Sequence, residues 1–133
     1  MPETNDIHFD TERGIPMSEA QTPIMLDDDR MDEIVMSMIC TGGDARGLCI
    51  EAIRAARAGD FTQAEELFKQ ADTDIQEAHN TQTDLIQNEI NGTPMVVKLL
   101  MVHAQDHLMD AMVVRDLAGE IVENLRVLNR TGQ

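Results

Sequence analysis

Apolar residues recur at three- and four-residue steps along most of the chain, which is the period of amphipathic helices. The first such segment is expected to be a helix from about Arg30 to Ala58. Its apolar seam consists of Ile34, Met38, Gly42, Ala45, Cys49, Ala52 and Ala56. From Gly42 onward the seam is made of small residues, which let a neighbouring helix approach closely. Gly59 is placed to end the helix.

A second helix is expected to begin after Asp60, which is predicted to be its N-cap residue. Gln63, three residues later, completes a pattern resembling a capping box. The seam of this helix steps by four and three in alternation, as a heptad does: Ala64, Phe68, Ala71, Ile75, Ala78, Gln82 and Leu85. Gln82 is an amide in an apolar seam. It either fixes the register of packing or donates a hydrogen bond to a functional site.

The turn sequence Asn91-Gly92-Thr93-Pro94 separates this helix from a third one, expected from about Met95 to Asn129. Two short connections between three long helices predict an antiparallel three-helix bundle, in an all-α protein. The bundle is expected to occupy residues 30–133 as a single domain. No strand is predicted anywhere in the chain.

Charge and composition exclude several classes of function. The 133 residues contain 10 Lys and Arg against 25 Asp and Glu, a net charge of −15. Proteins that bind nucleic acid by its phosphates carry clustered cations, so a DNA- or RNA-binding function is not expected. The same charge disfavours docking on an anionic membrane surface.

Residues 1–29 are predicted to be a disordered acidic tail, since they hold eight acids and three of the four prolines without a sustained helical period. The sequence shows no signal peptide and no apolar run long enough to span a membrane. Cys40 and Cys49 cannot bridge each other on one helix, which favours a reducing compartment. The protein is therefore expected to be cytoplasmic.

The third helix carries the candidate chemistry. At about 100° per residue, an apolar stripe lies within about 40° of His103: Val96, Leu99, Val114, Leu117 and Ile121. His103, Asp106, His107 and Asp110 interrupt this stripe over two turns. Outside the polar patch, the stripe is expected to be ordinary core. Inside it, the imidazoles and carboxylates would be costly to bury without partners.

The apolar arc of the third helix is also wider than one three-helix bundle needs. It is extended by Leu100, Ala104, Leu108, Ala111, Ala118 and Val122. Other subunits are therefore expected to cover part of this helix, with the stripe through His103 at or near a subunit interface.

Three interpretations of the segment from His103 to His107 are open from the residues alone. The first is a set of satisfied polar residues at an oligomer interface. The second is a zinc site, because the H-x-x-D-H spacing is similar to an inverted metalloprotease motif. A protease is disfavoured because little chain follows and no strand is available to hold a peptide. The third is a nucleophilic histidine that accepts a phosphoryl group, with His107 donating a hydrogen bond to that group. Since the chain has no nucleotide-binding loop, the phosphoryl donor would be another protein.

The segment Leu99–Met109, with the sequence LLMVHAQDHLM, resembles the active helix of the lactose/cellobiose-type IIA components of the bacterial phosphotransferase system. That family also includes the N,N′-diacetylchitobiose IIA proteins. Asp44-Ala45-Arg46, Ala58-Gly59-Asp60-Phe61 and the stretch 77–83 are similar to the first two helices of the family, in matching order. The resemblance covers roughly residues 29 to 130.

The resemblance implies a homotrimer of three-helix subunits. It implies that His103 accepts a phosphoryl group from the phosphohistidine carrier HPr and passes it to a cysteine of the cognate IIB component. IIB would then phosphorylate a disaccharide entering through the membrane-embedded IIC. Asp106 corresponds to the family's metal-binding aspartate, with one from each subunit meeting a single Mg²⁺ on the threefold axis. Three converging carboxylates would repel one another, so a hard cation there is physically reasonable.

The chain departs from the family pattern at Asp110, where members usually carry Thr. This added carboxylate could repel an incoming phosphoryl group, or it could orient His103 or His107. It keeps open an alternative of another class, a non-catalytic trimeric helical module that binds or regulates.

Overall fold

The computed structural model describes residues 9–10, 15–16 and 28–132 of the chain. Three helices dominate: α1 spans Asp28–Arg57, α2 spans Phe61–Ile90 and α3 spans Leu99–Thr131. α1 packs along both other helices, and α2 and α3 contact each other less extensively. The predicted all-α, antiparallel three-helix bundle is confirmed. α1 continues without a break through Gly42 and Gly43, and it begins two residues earlier than expected.

The junction between α1 and α2 follows the sequence signals closely. Gly59 adopts a left-handed conformation with φ of +87°, which ends α1 at the predicted place. The Asp60 carboxylate accepts a hydrogen bond from the backbone N–H of Gln63 at 2.9 Å, as an N-cap does. The backbone N–H of Asp60 donates instead to the carbonyl of Ala55 at 2.9 Å. The reciprocal bond of a full capping box is therefore replaced by a backbone bond.

The junction between α2 and α3 corrects the predicted start of the third helix. Gly92 has a φ of +91°, and the backbone N–H of Thr93 donates to the carbonyl of Asn88 at 2.9 Å, closing the turn. The chain then stays out of the helical conformation until Leu99, four residues after the expected start at Met95. Met95 packs against the core in this connecting segment, so a tertiary contact rather than local periodicity decides where α3 begins.

The core consists of two clusters stacked along the bundle. The larger one contains Ala45, Cys49, Ala52, Ala56, Ala64, Leu67, Phe68, Ala71, Ala111, Ala118 and Val122. The other, at the opposite end, contains Val35, Met38, Ala78, Leu85, Met101, Ala104 and Leu108. The predicted seams of α1 and α2 face this core. The many alanines bring the helix axes close together, because small side chains allow close approach.

Two short strands lie before the bundle. β1, Phe9–Asp10, pairs antiparallel with β2, Ile15–Pro16, with Phe9 opposite Pro16. Strands of two residues leave no alternating pattern, which is why the sequence predicted none. The remainder of the tail predicted to be disordered, before α1 begins, lies outside the described residues. None of the helices that the structure describes is both long and apolar enough to cross a membrane.

Candidate functional site

The two histidines of α3 form a contact pair on one face of the helix. Their four-residue spacing puts the rings one turn apart. Nε2 of His103 lies 3.2 Å from Nε2 of His107, and the ring centroids are 4.5 Å apart at an interplanar angle of 85°. His103 is exposed, whereas His107 is partly buried. An accessible imidazole thus contacts a partly buried one.

At this distance, only one of the two facing ring nitrogens can carry a proton when they are hydrogen-bonded to each other. A hydrogen bond between two nitrogens needs one N–H donor and one lone-pair acceptor. When His107 is the donor, Nε2 of His103 carries no proton and its lone pair accepts the hydrogen bond. Once that hydrogen bond opens, the exposed Nε2 of His103 can act as a nucleophile toward phosphorus.

Both carboxylates of the predicted patch are exposed on the same helix. The side chains of Asp106 and Asp110 lie at the surface of the chain, and the Asp106 carboxylate has no ion-pair or hydrogen-bond partner among the described residues. No single-chain cluster of three or more His, Cys, Asp or Glu side chains suited to a metal occurs in the part of the chain that the structure describes. A metal at Asp106 would therefore need further ligands from outside the described residues of this chain.

Apart from Val114, which is partly buried against the larger core cluster, the apolar stripe beside the histidines is not core, which corrects the expectation from the sequence. Leu99 is 85% exposed, Leu117 58% and Ile121 43%. The buried face of α3 is the neighbouring part of its wide apolar arc: Met101, Ala104, Leu108, Ala111, Ala118 and Val122. The small alanines in that set allow α1 to approach, so this face turns inward and the bulkier stripe is left on the surface.

A pair of amides links α2 to the turn of α3 that bears the histidines. The side-chain amide of Gln82 donates to the side-chain oxygen of Gln105, and Gln105 donates to Sδ of Met101 at 3.5 Å. Both glutamines are partly buried. Gln105 lies between His103 and His107, so the polar residue in the α2 seam is bonded to the segment that carries the candidate site.

The role of Gln105 was missed from the sequence, which assigned it none. The available signal was Gln82 itself, because an amide in an apolar seam requires a polar partner on a facing helix. His79, the other histidine in the helices, is exposed on α2. His8 lies outside the described residues. Both cysteines are free, as expected; Cys40 is exposed and Cys49 is buried.

The sequence matches a known protein family over most of the bundle. The family model described as "PTS system, Lactose/Cellobiose specific IIA subunit" matches residues 33–126. The lichenan-specific phosphotransferase enzyme IIA component of Bacillus subtilis is 46% identical over 95 residues, which is 71% of this chain and 86% of that protein. The N,N′-diacetylchitobiose-specific EIIA component of Escherichia coli is 40% identical over 95 residues, which is 71% of this chain and 82% of the relative.

Solved structures give the same result. The crystal structure of the cellobiose-specific enzyme IIA from Bacillus anthracis superposes with a TM-score of 0.73 at 35% identity, covering 82% of this chain and 98% of that one. The chitobiose IIA chain in the solution structures of the Escherichia coli IIA–HPr complex gives a TM-score of 0.66 at 38% identity, covering 74% of this chain and 96% of that one. Sequence and fold together establish that the chain is a phosphotransferase component and belongs to the lactose/cellobiose-specific IIA family of the phosphotransferase system.

Proposed function

We propose that the chain carries a phosphoryl group on His103, accepting it from HPr and passing it to the cysteine of a cognate IIB component. The observation that carries the assignment to His103 is the exposed ring with its Nε2 3.2 Å from Nε2 of His107. The proposed donor follows from the related chitobiose IIA, whose solution structure is a complex with HPr. IIB then supports uptake and phosphorylation, through IIC, of a disaccharide of the cellobiose, chitobiose or lactose type.

The proposed transfer is a displacement between two imidazoles. His107 turns its N–H from Nε2 of His103 to a phosphoryl oxygen, which frees the lone pair of that Nε2 to attack the phosphorus of the donor's phosphohistidine. The new N–P bond forms as the donor's N–P bond breaks, and the bonding electron pair returns to the donor nitrogen. Such transfers depend mainly on positioning and charge stabilisation, which the histidine pair can supply without a nucleotide site.

We propose that the working form is a homotrimer, assembled through the apolar stripe of α3. Leu99, Leu117 and Ile121 are exposed in the single chain and lie along one helix, together with Val113, which is 55% exposed. Exposed apolar side chains on both sides of the histidine pair indicate a protein interface. The histidine pair would then lie beside the contact between subunits, in the cytoplasm.

A Mg²⁺ ion held by Asp106 from each of three subunits is compatible with this arrangement. Asp106 is exposed on α3 and lacks a partner among the described side chains. Magnesium prefers oxygen ligands, and it would relieve the repulsion among three carboxylates that meet at an axis. In this proposal the ion stabilises assembly, and one ion serves one trimer.

The phosphoryl acceptor is tested by incubation with phosphoenolpyruvate, enzyme I and HPr, followed by intact-mass analysis. Wild type should gain one acid-labile, base-stable phosphoryl group, and His103→Ala should gain none. His79→Ala, which removes an exposed histidine on another helix, is the matched control and should be labelled like wild type. Labelling of His103→Ala would assign the acceptor to another histidine. A wild type that takes up nothing from its own species' HPr would favour the non-catalytic trimeric module.

The trimer and the ion are tested by measuring mass in solution with light scattering. Leu117→Glu should shift the protein to the monomer, since it places a charge in the proposed interface. Met36→Glu changes a residue of similar exposure on α1, 47% against 58%, and should leave the trimer intact. Adding Mg²⁺ should favour the wild-type trimer but not that of Asp106→Asn. A wild type that is monomeric at all concentrations and at millimolar Mg²⁺ would refute the assembly.

A further inference from the structure

The backbones of α1 and α3 touch at Gly42 and His107. A β-carbon built on Gly42 would lie 3.0 Å from both the carbonyl carbon and the carbonyl oxygen of His107, and 3.2 Å from the backbone nitrogen of Leu108. These are main-chain atoms, which cannot rotate away as a side chain can. A side chain at Gly42 would therefore push the two helices apart at this level.

The next glycine faces the imidazole itself. A β-carbon on Gly43 would lie 3.9 Å from Nδ1 of His107, an ordinary van der Waals distance. Gly42 thus sets the distance to the main chain that carries His107. Gly43 lies beside its ring, where a β-carbon fits but a larger side chain would add bulk. At Gly47, one turn further along the same helix, a β-carbon would meet nothing within 4 Å.

The contact matters for the histidine pair because the ring of His107 lies beside α1 and is partly buried, whereas His103 is exposed. If α1 and α3 move apart, the His107 ring loses its support from α1. It can then leave the position in which its Nε2 lies 3.2 Å from Nε2 of His103. A misplacement of about 1 Å can slow a transfer reaction by about a hundredfold.

We propose that Gly42 and Gly43 are positioning residues, which place the imidazole of His107 against His103. This inference rests on the proposed function, in which His103 accepts the phosphoryl group and His107 donates a hydrogen bond to it. Neither glycine touches the phosphoryl group. Both act by determining where His107 packs against α1.

The test compares Gly42→Ala with Gly47→Ala. Both replace a helical glycine of α1 by alanine, so both gain the same intrinsic helix propensity. Two readouts are used: the ¹⁵N chemical shifts of the histidine ring nitrogens, and the rate of phosphoryl uptake from HPr. In Gly42→Ala, the ring signals of His107 and His103 should change, and uptake should slow by about tenfold or more. In Gly47→Ala, ring signals should match wild type, with uptake within about twofold of it.

A second variant leaves the main-chain contact between Gly42 and His107 unchanged, so the test can still be made if Gly42→Ala does not fold. Gly43→Val should fold, because its β-carbon has room, but its branches reach toward the His107 ring. It should alter the His107 ring signals and slow uptake more than Gly47→Ala does. Unchanged ring signals and uptake in both Gly42→Ala and Gly43→Val would overturn the inference while leaving His103 as the acceptor. Uptake that persists in His103→Ala would instead show that the proposed function is wrong.

Discussion

Arg115 on α3 and Asp72 on α2 form an ion pair with two hydrogen bonds, from Nε to Oδ1 at 2.6 Å and from Nη2 to Oδ2 at 3.0 Å. The guanidinium of Arg115 also lies over the ring of Phe68, 4.1 Å from its centroid. One turn of α2 thus supplies both an aromatic face and a carboxylate to one arginine. The hydrogen bond to Asp72 raises the pKa of Arg115 above its usual value.

The same arrangement is repeated nearer the end of α3. Arg126 donates to Glu65 at 2.7 Å and lies 5.0 Å from the centroid of Phe61. In both cases the carboxylate follows the phenylalanine by four residues, the spacing that puts both on one face of α2. These two sets connect α2 and α3, the pair of helices with the smallest mutual contact in the bundle.

Replacing Arg115 should destabilise the bundle. We expect Arg115→Ala to lower the free energy of unfolding by about 1–2 kcal/mol, from the lost ion pair and cation–π contact together. Arg115→Lys should lose about half as much, since a lysine cannot bond the carboxylate at two points. Urea unfolding measures both. A double-mutant cycle with Asp72→Ala that gives no coupling energy would contradict this account.

The amides of Gln82 and Gln105 predict an asymmetry between single and double substitutions. Gln82→Leu or Gln105→Leu alone leaves one partly buried amide without its partner, and each should cost about 1–2 kcal/mol. The double variant removes both amides and should be more stable than either single variant. Urea unfolding of all three tests this. Losses that simply add would show that the two amides do not act as a pair.

The two cysteines should differ strongly in reactivity. Burial raises the pKa of the Cys49 thiol above its ordinary value of 9.0; the charge of Arg115 lowers it in part, and that of Asp72 adds to the rise. Since the thiolate is the reactive form, iodoacetamide should modify the exposed Cys40 first and leave Cys49 intact in the folded protein. Peptide mass analysis with and without denaturant distinguishes the two sites. Equal rates in the folded state would contradict the burial of Cys49.

The raised pKa of Cys49 also gives stability a pH dependence of known sign. In the folded state, the Cys49 thiol keeps its proton at pH values at which the same thiol in the unfolded chain has begun to lose it. The free energy of unfolding should therefore fall as the pH rises above about 9, the ordinary thiol value. Cys49→Ala, compared at pH 8 and at about pH 10, should lack this part of the decrease. Cys40→Ala should behave as wild type.

Asp74 should destabilise the bundle at neutral pH. Desolvation, followed by the charges of Asp44 and Glu77, raises its pKa above the ordinary value of 3.8. The folded state therefore binds the proton of the Asp74 carboxyl more tightly than the unfolded chain does. The free energy of unfolding falls as the pH rises through the raised pKa. We expect Asp74→Asn to gain about 0.3 kcal/mol at pH 7 and nothing below about pH 3.8.

Urea unfolding at the two pH values measures the effect of Asp74→Asn. Asp84→Asn, which removes a carboxylate at an exposed position later in α2, is the matched control. An equal gain from Asp74→Asn at both pH values would indicate a cause other than its charge.

Local sequence signals were sufficient for α1, for α2 and for the turn between them, but not for the start of α3. The caps of that turn depend on neighbours a few residues away, as Gly59 and Asp60 illustrate. Helical period alone also put His103, Asp106 and His107 on one side of α3. Relations of this kind lie within one helix, so periodicity determines them. The roles of the three residues remain predictions.

Relations between helices required the packed structure. The wide apolar arc of α3 contains two faces that could pack in the core. The alanine-rich face is the one that is buried, because α1 approaches closely there. That choice put Leu117 on the surface, paired Gln105 with Gln82, and brought the backbone of His107 against Gly42. Periodicity fixes angles around a single helix axis, but the contact between two helices depends on the shapes of both surfaces.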